Sequence, residues 1–181
     1  MSTNNPHGFT EHRMLDGSMS PATRWYKVKA DGASGSHQKF PGDPVVLVSG
    51  QTVARIPAAA TAASIPVAGV IRAVYDSNKK PLTHSQPAKG PYLDSSTAGW
   101  VEVNISRNQT YLVNTDATVV STLIGQYVDV TAVAPTSAAG RSGMTIEVGT
   151  AVNTAAQTAP FQVIAIAGDN QDGIAGGENN Q

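Results

Sequence analysis

Short apolar segments with a two-residue alternation recur along most of this chain, about one every fifteen residues, with Pro- and Gly-bearing turns between them. Side chains alternate across a strand with a period of two, so such segments are half-buried β-strands. The clearest is Trp100 to Ser106. It places Trp100, Glu102, Asn104 and Ser106 on one face and Val101, Val103 and Ile105 on the other. From Trp25 to Lys29 the same rule sends Trp25 and Lys27 one way, Tyr26 and Val28 the other. Val45 to Val48 reads as a buried strand, entered through the turn Pro41-Gly42-Asp43-Pro44 and paired in a hairpin with Val53 to Ile56. Val67 to Tyr75 continues the series, with Gly69 marking a bulge or a close backbone approach. Thr110 to Thr115, Tyr127 to Val133, Met144 to Val148 and Phe161 to Ala167 complete it. The expected fold is therefore all-β, an antiparallel sandwich or barrel-like domain over residues 21–167. Its core should contain Val46, Val48, Ile71, Val103, Ile105, Leu112, Val128 and Ile164.

Three stretches depart from the alternation. Residues 1–20 are polar apart from Phe9, Met14 and Leu15, and read as an extended N-terminal arm. Such an arm either frays or orders against a neighbouring subunit. The segment 58–64 is rich in Ala, and is a short helical turn or a small-residue loop. Residues 76–96 form a long loop with three prolines, and loops of that length are commonly functional or folded onto a partner. Residues 168–181 are Asp, Asn, Gln and Gly for the most part and form a flexible tail.

Composition narrows the function more by exclusion than by suggestion. Only 14% of the residues are charged and the net charge is −1, which offers no field to attract nucleic acid. Ordinary apolar content with low net charge excludes wholesale disorder, and a coiled coil would need far more Glu, Lys, Arg and Leu. With no Cys, disulfide scaffolds, thiolate metal sites and Cys nucleophiles are excluded together. The first residues lack the basic and apolar regions of a signal peptide, and no window approaches a membrane span, so synthesis in the cytoplasm is expected.

No catalytic or ligand-binding constellation is written in the chain. His7, His12, His37 and His84 are not spaced to aim two ligands at one ion. Gly140-Arg141-Ser142-Gly143 lacks the spacing of a nucleophile elbow and reads as a turn before Met144. The run from Asp169 to Gly173 misplaces the glycine and the terminal acid of a calcium loop. Glu102, Asp116, Asp129 and Glu147 all lie on or near strands, and glycoside chemistry would need two of them facing each other across a cleft. Alternation places Glu102 and Asp129 on polar, solvated faces, and sequence alone does not say whether any two acids meet. The expectation is a protein that is not an enzyme and carries no cofactor or metal. Trp25 and Trp100 are the residues most apt for a core or a subunit interface, with sugar stacking as the alternative.

One succession of turns and strands is familiar. It begins at Arg107-Asn108-Gln109-Thr110-Tyr111-Leu112-Val113-Asn114-Thr115-Asp116 and continues through Ile124-Gly125-Gln126-Tyr127-Val128-Asp129-Val130. Gly140-Arg141-Ser142-Gly143-Met144-Thr145-Ile146-Glu147 and the strand Phe161 to Ile166 follow. This succession resembles the decoration or structural cement proteins of tailed-phage heads, and Pro41-Gly42-Asp43-Pro44-Val45-Val46-Leu47 is similar to the Gly-Asp turns of such β-rich virion proteins. The resemblance implies a homotrimer on the outer surface of a phage capsid. There it would bind the major capsid protein without covalent chemistry and stabilise the shell. Phe9, Met14, Leu15, Trp25 and Trp100 are the candidates for that capsid or subunit interface. A receptor- or glycan-binding virion protein, a head fibre or tail component, is the alternative, and a carbohydrate-active β-fold enzyme a more distant one.

Overall fold

A computed structural model describes residues 8–28, 38–48, 52–55, 67–82, 91–94, 97–117, 119–132, 142–152 and 161–166. Its strands are β1 (Thr10–Met14), β2 (Thr23–Val28), β3 (Pro44–Val48), β4 (Thr52–Arg55) and β5 (Val67–Tyr75). They continue as β6 (Gly99–Asn104), β7 (Gln109–Leu112), β8 (Tyr127–Ala132), β9 (Met144–Val152) and β10 (Phe161–Gln162). The protein is all-β, as the alternation requires. Among the described residues a short 3-10 turn at Ser121–Leu123 interrupts the strands.

Five strands close into a barrel in the order β2-β4-β3-β5-β6. All its pairings are antiparallel except β2 with β4, and β3 and β4 form the expected hairpin, with Val45 opposite Arg55 and Val48 opposite Thr52. Closure leaves no unpaired edge within the barrel. A three-stranded sheet, β10-β8-β9, and a two-stranded one, β1-β7, stand beside it.

Two cores result. Tyr26, Val28, Val45, Ile71, Val74, Leu93, Val101 and Val103 fill the barrel. Val46 and Val70, outside the barrel, join Val113, Val128, Val130, Met144 and Ile146 in a second core against the three-stranded sheet. Neighbours Val45 and Val46 thus point to opposite faces and are both buried, which is why that segment reads as a continuous apolar run.

Gly69 sits where β5 bulges. Val45 pairs with Gly69 but Val46 with Val67, so Ala68 is the extra residue. A Cβ at Gly69 would lie 2.0 Å from the carbonyl oxygen of Asn104, so bulge and close approach coincide. The turn Pro41-Gly42-Asp43-Pro44 forms as expected, with Gly42 at a φ of 91°. Its Asp43 is fully buried and accepts hydrogen bonds from the Phe40 amide at 2.9 Å and the Ser142 hydroxyl at 2.5 Å. Ser142 Oγ accepts from the Met144 amide at 3.1 Å. Thus the turn at Gly42 is bolted to the residues that lead into β9, and Ser142, with no accessible surface, is a structural hydroxyl.

Several expectations need correction. Val48, Ile105 and Ile164 are exposed at 43%, 37% and 46%, and Leu112 is only half-buried. Val48 ends its strand and Ile105 follows the last paired residue of β6; Ile164 lies beyond the two-residue β10. Alternation governs burial only where the ladder continues. In the expected arm, residues 8–14 belong to the fold. Strand β1 pairs with β7, and Phe9 is 4% exposed, packed on Tyr111 and Phe161 at ring separations of 5.9 and 4.5 Å. The Phe9 amide donates to the Gly42 carbonyl at 3.0 Å, and a Cβ at Gly8 would collide with Ser142. The long loop is also tied to its own chain where described. Leu93 is buried and bridges to Lys39, and Tyr92 stacks on Phe40 at 5.1 Å. The Ala-rich 58–64 segment and the 168–181 tail lie outside the described residues.

Candidate functional site

The outer face of the barrel carries the most distinctive surface. Alternation in β2 turns Tyr26 and Val28 inward, which forces Trp25 and Lys27 outward. Register then decides their neighbours. Trp25 lies opposite Glu102 and Lys27 opposite Trp100 across β2 and β6, while Tyr75 lies opposite Trp100 across β5 and β6. Three strands therefore deliver Trp25, Tyr75 and Trp100 to one patch. The Trp25 and Tyr75 rings are 4.2 Å apart at 37°, and Trp25 remains 40% exposed.

Two ammonium groups lie over these rings. Lys27 Nζ is 5.3 Å from the Trp100 ring centre, and Lys79 Nζ is 4.5 Å from Trp100 and 5.6 Å from Trp25. Lys79 reaches them from the turn after β5 with a φ of 62°, a left-handed conformation unusual for a side chain with Cβ. Asp76 holds that turn, its Oδ1 accepting from the amides of Asn78 and Lys80, both at 2.8 Å. Local backbone strain of about 1–3 kcal/mol kept at one surface lysine is the kind of feature that gathers at working surfaces. At the patch border, the Tyr75 hydroxyl donates to Glu102 at 3.0 Å, and Arg72 lies 4.0 Å from Glu102 and 3.6 Å from Glu11. Burial, then the Glu102 carboxylate, raises the Tyr75 phenol above its ordinary range.

Of the five residues expected at an interface, Trp25 and Trp100 are brought together here. Phe9 is buried by its own chain, Met14 is half-buried on β1, and Leu15 is 59% exposed. Leu15 lines instead an apolar groove of about 650 Å³, together with Phe9, Val70, Ile105, Phe161 and Ile164. Tyr75, Lys27 and Lys79 were not singled out from the sequence. Their only signal was outward alternation in β2 for Lys27. The Tyr75–Trp100 register and the Asp76 turn are tertiary facts.

The four acidic residues singled out from the sequence fall into different surroundings. Glu102 is half-buried, engaged by Tyr75 and Arg72 rather than freely solvated. Asp116 Oδ1 accepts from the Val148 amide at 2.8 Å. Asp129 and Glu147 do face each other, as direct partners across β8 and β9. Burial, with a smaller effect of Glu147, raises the Asp129 carboxyl above its usual range. Among the described residues no three His, Asp or Glu side chains gather as metal ligands. His12 is exposed on β1, while His7, His37 and His84, and the Asp169–Gly173 run, lie outside the described residues. No helix among the described residues is long and apolar enough to cross a membrane.

No protein-family model matches the chain, and neither a curated protein nor a solved structure matches it.

Proposed function

We propose that this protein is a structural virion protein that docks on the outer surface of a phage capsid and stabilises the shell without covalent chemistry. The observation that carries the reading is the outward-facing Trp25–Tyr75–Trp100 patch with Lys27 and Lys79 laid over it, mounted on a closed barrel. Large aromatic side chains on a rigid support are the residues that dominate protein–protein binding energy, and truncating one commonly costs about 2 kcal/mol or more. The resemblance of the Arg107–Ile166 turns and strands to cement proteins supplies the partner, the major capsid protein, and the homotrimeric state. Residues 8–14, folded onto their own chain, are unsuited to the role of a free anchoring arm, which shifts docking to the barrel face.

The test is co-sedimentation with undecorated capsids. The Trp25→Ala/Trp100→Ala double variant should keep the β-type circular dichroism of the wild type and lose binding by about 30-fold or more, the equivalent of one such truncation. Undiminished binding by this variant would refute the assignment of the face, and failure of the wild type to bind any capsid would refute the function.

A second reading uses the same surface. Trp25, lying against the Tyr75 ring at 4.2 Å and 40% exposed, also offers an apolar aromatic surface of the kind that sugar rings stack on. Retention of the wild type on immobilised polysaccharide, lost in the double variant, would favour a glycan-binding virion protein.

A further inference from the structure

The strands β8 and β9 carry a second cluster that the docking face does not use. Asp129 stands directly opposite Glu147, and Thr131 opposite Thr145 two residues along. The period of two places all four side chains on one face of the ladder, opposite to the face of Val128, Val130, Met144 and Ile146 that enters the core. Like charges directly opposite in an antiparallel pair repel. Neither acid has an ion pair among those described.

Two atoms of this cluster are unsatisfied. Asp129 Oδ1 and Thr145 Oγ1 are both buried and have no hydrogen-bond partner, and Thr145 as a whole is 4% exposed. Buried polar atoms are almost always paired, so an orphan oxygen on one of two facing carboxylates and an orphan hydroxyl on the same face ask for a shared ligand. All the available atoms are oxygens, from two carboxylates and a hydroxyl. That is the donor set of a hard cation.

We infer that Asp129, Glu147 and Thr145 form a divalent-cation site, with calcium as its ion. A cation between the carboxylates turns their repulsion into attraction and gives both orphan oxygens a partner. A single proton could serve one carboxyl oxygen and would leave Thr145 unmet. Calcium suits the site better than magnesium because it tolerates irregular coordination, whereas magnesium demands a near-ideal octahedron. With three side chains supplying ligands, water completes the shell, and affinity belongs to the weak, roughly millimolar class.

The experiment is thermal melting of the full-length protein with calcium chloride against sodium chloride at matched ionic strength, beside calorimetric titration of calcium into the native protein. Calcium at ten times its dissociation constant should shift the folding equilibrium about 11-fold and raise the melting temperature by about 3–6 °C. Asp129→Asn and Glu147→Gln should each abolish most of that rise. A rise of equal size in both variants would overturn the site. So would the absence of any calcium response or titration heat in the wild type, with Asp129→Asn simply melting higher.

Discussion

Phe9→Ala separates a strand docked on its own chain from a loose arm. Phe9 is 4% exposed, wedged between Tyr111 and Phe161, with its amide bonded to Gly42. A phenylalanine buries about 150–250 Å², of which most is lost on truncation, and at about 25 cal/mol per Å² this is on the order of 3–5 kcal/mol. Core Phe→Ala substitutions fall in the same range of about 3–5 kcal/mol, cavity included. The edge-to-face contact with Tyr111 adds to the loss. Against this, Phe9 already borders the groove beside Val70 and Phe161, so its neighbours are less confined than in a solid core. The expected cost is therefore near the lower end, about 3 kcal/mol, or a fall of about 6–12 °C in melting temperature. Urea unfolding followed by tryptophan fluorescence measures it, as a lower midpoint at an unchanged slope. A loss below about 1 kcal/mol would refute the reasoning, because it would mean that residues 8–14 leave the fold at little cost. The same reasoning predicts that deleting residues 1–20 destabilises the protein instead of producing a folded molecule that merely lacks an anchor.

Two further outcomes follow from burial. Ile71→Ala, inside the barrel at 1% exposure, should cost about 2–5 kcal/mol, and Ile105→Ala, at 37%, well under half as much; equal costs in urea unfolding would contradict the assigned ends of β6. Burial, helped by Glu11 across the β1–β7 pair, pushes the Tyr111 phenol far above its ordinary range. The folded state therefore holds a proton that the unfolded chain releases near pH 10, so this contribution is intact below about pH 10 and is lost as pH rises further. Tyr111→Phe should flatten the alkaline loss of stability, and an unchanged alkaline profile in that variant would count against the buried phenol.

Much of the fold was legible because a strand has only two faces. That Trp25 and Lys27 share one face and Tyr26 and Val28 the other follows from the alternation alone, and the turn at Gly42, the β3–β4 hairpin and the crowding at Gly69 are all local consequences of side-chain size and backbone freedom. What failed was local too. Val48, Ile105 and Ile164 obey the apolar pattern but sit where a ladder ends, and no pattern records its own last hydrogen bond.

The sequence by itself therefore determined the all-β class, most strand positions and which side chains of a strand share a face, since these depend on residues a few positions apart; which face is buried it did not always give, as Leu112 and the buried Val113 show. Register between distant strands belongs to the tertiary structure. Trp25, Tyr75 and Trp100 become one patch, and Asp129 and Glu147 become opposed, only through pairings across β2, β5, β6, β8 and β9. The fate of Phe9 is of the same kind: a single phenylalanine in a polar run has no period to read, and what buries it comes from Tyr111 and Phe161, far along the chain. Alternation decides which way a side chain points; the closed barrel and the sheet packed beside it decide what it meets there.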